Sequence, residues 1–201
     1  MDMSEIPLFP LKTVLLPANT LGLKIFETRY LDMIANCMRE NSPFGVVLIH
    51  KGEETGTNTD VYSIGTTATI SDWEHRADGL LGVTALGAKR FEILSTHTQT
   101  DGLTLAQIKI LEDSGSPEFP DQYHYMLELL DHISAQAGRI RGDDQGFCEM
   151  LYQLIYLLPL EVTLKQRLLE IPECADRAVI LHAELIRIGV IQYIKPEANN
   201  G

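Results

Sequence analysis

The run Ile6-Pro7-Leu8-Phe9-Pro10-Leu11-Lys12-Thr13-Val14-Leu15-Leu16-Pro17 constrains the fold more than any other part of the chain. Pro7, Pro10 and Pro17 hold their own φ near −65° and push the preceding residues out of the helical region. The run is nevertheless apolar, so it has to be extended chain laid against a core. It continues through Leu21-Gly22-Leu23-Lys24-Ile25-Phe26 into Glu27-Thr28-Arg29-Tyr30. A helix is expected from Thr28 to Glu40, because Tyr30, Leu31, Ile34, Cys37 and Met38 recur at helical spacing and Asn41-Ser42-Pro43 stops it. Glu27 stands where a carboxylate favours the positive end of the helix dipole. Nothing reactive in this stretch suggests catalysis. Phe9, Leu11, Ile25 and Phe26, with Phe91 further on, are expected to supply buried apolar area.

The rest of the first half reads as strands. Phe44 to Ile49 is a β-branched run, and Asp60 to Ile70 alternates in part at period two. Asp78-Gly79 and Asp101-Gly102 supply the positive φ angles of tight hairpins. Their expected arms are Thr69–Trp73 with Leu80–Thr84, and Arg90–Thr98 with Leu103–Leu111. Gly82 and Gly87 interrupt the strand pattern and suggest bulges or bends in a closing sheet. Short strands with regular turn signals point to a small β-barrel.

Composition shifts at Glu112-Asp113-Ser114-Gly115-Ser116-Pro117-Glu118, the candidate subdomain boundary. Beyond it the period becomes helical. Tyr123, Met126, Leu127, Leu130, Ile133, Ser134 and Ala137 share a face, with Asp121 as the expected N-cap behind Pro120. Gly138 to Gly142 should end that helix, and Asp143-Asp144 should cap the next. Phe147 to Leu158 is apolar nearly all round and reads as a buried central helix. A shorter helix is expected over Val162–Glu170. Pro172 opens a last one, with Ala175, Ala178, Leu181, His182 and Leu185 in a stripe, and Gly189 ends it. Val190 to Ile194 is a candidate returning strand. The expected organisation is a β-rich subdomain over 1–117, a helical bundle over 118–196 and a disordered tail over 197–201.

At 45% hydrophobic and 22% charged residues, the chain has the composition of a soluble globular protein. Its net charge of −12 comes from an acidic surplus in both halves, which disfavours nucleic-acid and anionic-membrane partners. No apolar run approaches the roughly 20 residues of a membrane span. Cys37, Cys148 and Cys174 are odd in number and widely spaced, with no C-x-x-C pair, so neither a disulfide framework nor a zinc site is expected. Cys148 and Cys174 read as small buried hydrophobes. A reducing cytoplasm fits this usage.

His124, Glu128 and His132 recur every four residues on one helical face, but the two histidines span roughly 12 Å along the axis, too far for one shared ion. They are expected to form a solvated face, with His182 at a core edge and His50-Lys51 ending a strand. No catalytic, cofactor-binding or metal-binding residue is assigned. The one candidate contact is Trp73, the only tryptophan, with His75 and Arg76 beside it. An amphipathic ring next to charge suits an interface, although capping of a barrel end would use the same ring.

The opening run, together with Ile64-Gly65-Thr66, Asp78-Gly79-Leu80-Leu81, Gly87-Ala88-Lys89-Arg90-Phe91-Glu92-Ile93, Leu158-Pro159-Leu160 and Lys165-Gln166-Arg167-Leu168-Leu169-Glu170, resembles the N-terminal, substrate-recognising domain of Lon proteases over nearly the whole chain. The resemblance implies an α+β fold, a PUA-like β-barrel followed by a helical bundle. It implies a non-enzymatic module for proteins or exposed peptide segments, with no cofactor. Arg29 and Arg90 are expected to tie elements together. No G-x-x-x-x-G-K-[ST] phosphate loop is present, so ATP hydrolysis and unaided proteolysis are not expected. The alternative, nucleic-acid binding, rests on the PUA-like fold alone.

Overall fold

The structure, a computed structural model, describes residues 3–54, 59–112, 120–136 and 146–191. Seven strands come first: β1 Met3–Leu11, β2 Thr20–Ile25, β3 Phe44–Lys51, β4 Asp60–Val61, β5 Ile64–His75, β6 Leu81–Thr98 and β7 Thr104–Leu111. Helix α1, Thr28–Glu40, lies between β2 and β3. Four helices follow the strands: α2 His124–Gln136, α3 Phe147–Leu157, α4 Val162–Glu170 and α5 Cys174–Arg187. The fold is mixed, with one large, mainly antiparallel sheet and the later helices grouped after it.

The pairing order is β1-β7-β6-β5-β3-β4, and β1 also pairs β3 in parallel, Leu8 opposite Gly45 to Leu11 opposite Leu48. Both Asp-Gly turns are present, with Gly79 at φ 80° and Gly102 at φ 87°. The expected arms pair as read, but the two middle arms are one continuous strand, β6. Its first half pairs β2 and β5, and its second half pairs β5 and β7. Register shifts fall at Thr66/Ala68, opposite Gly87 and Arg90, and at Ile70/Asp72. The bulge expected at Gly82 is therefore not there. Gly87 serves a close approach instead: a Cβ on it would lie 2.4 Å from the Leu16 carbonyl oxygen.

Helix α1 has the expected bounds, and Asn41 closes it in the left-handed conformation at φ 49°. Asp121 does not cap α2; it is the first residue of a 3-10 turn, Asp121–Tyr123, that runs into the helix. On α5, Ala175 is exposed and the buried stripe is Cys174, Arg177, Ala178, Leu181 and Leu185. Val190 and Ile191 are not in a strand. The boundary at 117, the helix end at 138–142, the cap at Asp143-Asp144, residues 192–194 of the expected last strand and the tail 197–201 lie outside the described residues.

One apolar cluster spans both halves of the chain. Val14, Leu16 and Leu48 pack with Met126, Leu130, Leu151, Ile155 and Leu168 of the helices. Polar contacts pin the two halves: Arg90, buried, donates to Leu169 O at 3.1 Å, and Gln166 Nε2 donates to Ile64 O at 3.0 Å. The cysteine reading is corrected here. Cys148 and Cys174 are buried as expected, but they form a disulfide between the first turns of α3 and α5, Cα–Cα 5.5 Å. Spacing along the chain cannot show that two helix starts meet.

Candidate functional site

The first half of β6 carries β2 on one side and the outer half of β5 on the other, making a three-stranded wing. Its register lines up three rows: Leu21–Ala85–Ile70, Leu23–Val83–Trp73 and Ile25–Leu81–His75. Leu23, Ile25, Val83 and Ala85 of these rows join the buried cluster that holds Tyr30, Met33, Ile34 and Cys37 of α1. The helix thus covers the inner face of the wing. Trp73 and His75 are the β5 members of their rows. Trp73 is 49% exposed, and its ring meets His75 edge-on at 5.6 Å. A cleft beside it runs between Thr69–Trp73 and Cys37, Met38, Asn41 and Ser42 at the end of α1. Arg76 bends towards Glu74 and Asp78 at 3.5 and 3.4 Å, lies over Gly82, and lines a second cleft together with Trp73 and Lys24.

Both margins of the wing lack a partner strand among the described residues, but the two are not equivalent. β3 pairs β5 only as far as Ala68. Beyond it the Trp73 N–H donates to Asp72 Oδ1 at 2.8 Å, so a side chain already takes one donor of this edge. The β2 margin is open. Gly87 N–H donates to Asn19 O at 2.9 Å, which marks Asn19–Gly87 as a hydrogen-bonded pair. Bonded and non-bonded pairs alternate in an antiparallel ladder. Leu21, Leu23 and Ile25 therefore bond to β6, and the N–H and C=O groups of Thr20, Gly22 and Lys24 turn away from it.

Gly22 and Lys24 of this edge border a cleft of about 260 Å³. Seven consecutive residues, Leu21 to Glu27, line it, so the cleft runs along the strand. Phe9, Pro10, Leu11 and Thr13 form the opposite wall, with Tyr30 and Glu54 completing it. The Tyr30 ring stacks against Phe9 at 4.3 Å, and burial raises the Tyr30 pKa. Phe26, expected in the core, is 59% exposed at the end of β2. The turn into α1 follows at once, and Arg29 anchors it. Its guanidinium meets Glu27 at 2.8 Å and donates to Gly102 O at 2.8 Å, tying α1 to the β6–β7 hairpin. This is the pairing expected of Arg29. Glu27 offers its carboxylate to Arg29, and no side chain caps the helix.

The other singled-out residues lie elsewhere. His124, Glu128 and His132 are exposed on α2, with His132 3 Å-range bonded to Gln136 at 2.9 Å. His182 is half-buried, with its Nδ1 hydrogen-bonded to the Tyr125 hydroxyl at 2.6 Å. His50 ends β3 next to Asp60 at 3.1 Å. Sequence reasoning missed the β2 edge because it took Leu21–Phe26 as packing residues only. The period-two pattern of Leu21, Leu23 and Ile25 against Thr20, Gly22 and Lys24 marks a strand there, but not that its margin is uncovered.

Residues 5–187 match the family model described as the ATP-dependent protease La (LON) substrate-binding domain. The chain is 30% identical to protein cereblon of Danio rerio over 156 residues, 76% of this chain and 36% of that protein. It is 28% identical to the Lon protease of Parabacteroides distasonis over 131 residues, 64% of this chain and 16% of that protein. It therefore spans well under half the length of these relatives. Among solved structures, a Lon N-terminal domain protein from Xanthomonas campestris aligns with TM-score 0.76 and 29% identity, covering 90% of this chain and 98% of that one. The N-terminal domain of a Mycobacterium avium complex Lon protease shares the fold at TM-score 0.64 and 15% identity, covering 90% and 97%.

Proposed function

Because the chain belongs to the Lon substrate-binding domain family, we propose that it is a non-enzymatic module that holds segments of other proteins, with the wing as its contact surface. The observation that carries this reading is an unsatisfied strand edge bordering an apolar cleft, with the large exposed ring of Phe26 at its end. Exposed apolar rings at a concave surface are typical anchors for protein partners. The cleft is smaller than the roughly 300–1,000 Å³ of small-molecule pockets, which favours a partner that lies along it. Trp73, His75 and Arg76 form a second contact point on the same wing.

The finer architecture is part of the proposal. A PUA-like barrel is supported by β1 pairing both β7 and β3, and a helical bundle by α3, buried along its length, with α2 and α5 packed against it. No helix among the described residues is long and apolar enough to cross a membrane. We also propose a cytoplasmic setting, where thiols are kept reduced. The Cys148–Cys174 bridge counts against it, so protein taken from cells under acid quench should show three free thiols, and a single free thiol overturns this setting.

The functional test is fluorescence anisotropy with a labelled, reduced and alkylated protein that cannot fold, against the same protein folded. Saturable binding of the unfolded form alone is expected, weakened roughly tenfold by Phe26→Ser, since removing one ring contact costs at least about 1.4 kcal/mol. Equal binding of folded and unfolded forms, or none of either, overturns the reading.

A further inference from the structure

We propose that the β2 edge takes an extended polypeptide as an added strand, and that the favoured segment is apolar within the cleft and flanked by lysine or arginine. This deepens the binding reading above and rests on it. The backbone side of the argument comes from hydrogen-bond alternation. Thr20, Gly22 and Lys24 direct three N–H and three C=O groups away from β6, and a chain in β conformation presents the matching groups at the matching repeat. The sheet face is open at the centre of β2: a Cβ placed on Gly22 would have no heavy atom within 4 Å. A side chain of an added strand that lies on that face meets no obstacle there. On the β5 edge one donor, the Trp73 N–H, is already taken by Asp72.

The side-chain preference follows from charge. The cleft is lined by charges of both signs, Lys24 with Glu27 and Glu54. Glu27 is held by Arg29 at 2.8 Å, Lys12 beside the cleft pairs with Glu53, and Glu54 Oε1 accepts the Lys12 backbone N–H at 2.7 Å. A charged residue entering the slot loses its hydration. The cleft walls are Phe9, Leu11, Leu21 and Tyr30, which suit apolar side chains. The molecule as a whole carries a net charge of −12, so cationic flanks are drawn in and anionic ones repelled. A strand added to β2 would also cover an edge that is otherwise exposed to pairing with other chains.

The experiment uses the full chain and three synthetic peptides of alternating valine and threonine with two lysines at each end. One is unmodified, one is N-methylated at every second residue, and one is N-methylated in the alternate register. N-methylation removes donors from one edge of the peptide and leaves its side chains alone. The unmodified peptide is expected to slow amide exchange at Thr20, Gly22 and Lys24. One methylated register should bind at least tenfold more weakly than the other. A glutamate-flanked version should bind more weakly than the lysine-flanked one, with the gap closing as salt rises. Equal affinity of both methylated registers, or protection confined to β5, overturns strand addition at β2. Equal affinity of the two flanked peptides at low salt overturns the charge preference. If the unfolded protein binds while β2 stays unprotected, this inference fails and the proposed function stands.

Discussion

Gly87 shows how much one hydrogen in place of a methyl can decide. The Leu16 carbonyl sits where a Cβ would be, at 2.4 Å, and the Leu15 side chain lies just behind it. Because that carbonyl is main chain, it cannot move without dragging the segment that leads into β2. Gly87→Ala should cost about 1–3 kcal/mol, as overpacked sites do, lowering the urea midpoint with an unchanged slope. Gly22→Ala, with open space around it, should leave that midpoint within about 0.5 kcal/mol of the parent. Tyr125 makes a second residue-scale prediction. Its hydroxyl is hydrogen-bonded to His182 Nδ1, and burial pushes its pKa up to about 12. A phenol whose folded pKa lies above the unfolded value near 10 contributes stability in full below pH 10 and loses it as pH rises towards 12. Tyr125→Phe should remove a hydrogen bond worth about 1 kcal/mol at neutral pH and flatten the stability slope between pH 10 and 12, read from denaturant melts across that range. Residue roles were unevenly legible in the sequence. Arg29 found its carboxylate because Glu27 is two residues away. Phe26 was misjudged because apolar character alone does not say which side of a strand end a ring leaves from.

At the scale of elements, local pattern identified most of the structure. Helix α1 and helix α4 have the expected bounds, and both Asp-Gly turns sit where their chemistry requires positive φ. What was not legible depends on partners distant in sequence. The continuity of β6 through Gly87 arises because β2 and β5 support its first half from both sides. The Cys148–Cys174 bridge closes a loop of 26 residues. In the chain-entropy account a loop of that size contributes about 3 kcal/mol. Reduction, or the Cys148→Ser and Cys174→Ser double variant, should lower stability by that order while Cys37 stays buried and slow to react with N-ethylmaleimide. An unchanged urea midpoint under reductant would show that the bridge does not hold α3 to α5 in solution.

The whole molecule joins a sheet that presents an edge to a set of helices that backs it. The shared cluster around Leu16, Leu48 and Leu151, with Arg90 and Gln166 crossing the seam, gives the wing a rigid base. The net charge of −12 adds a field that extends about a Debye length, ~8 Å at physiological salt. Capture of basic segments should therefore speed up as salt falls, and stopped-flow mixing of the lysine-flanked peptide would check it. The fold family was legible from motifs spread along the chain, but the β2 edge was not, because whether a strand margin is covered is a property of the assembled sheet. The most direct test of the account is native mass spectrometry of the purified chain mixed with an unfolded polypeptide. The account predicts an intact one-to-one complex in which both masses are unchanged after long incubation. Fragments of the polypeptide, or no complex at any concentration, would contradict it.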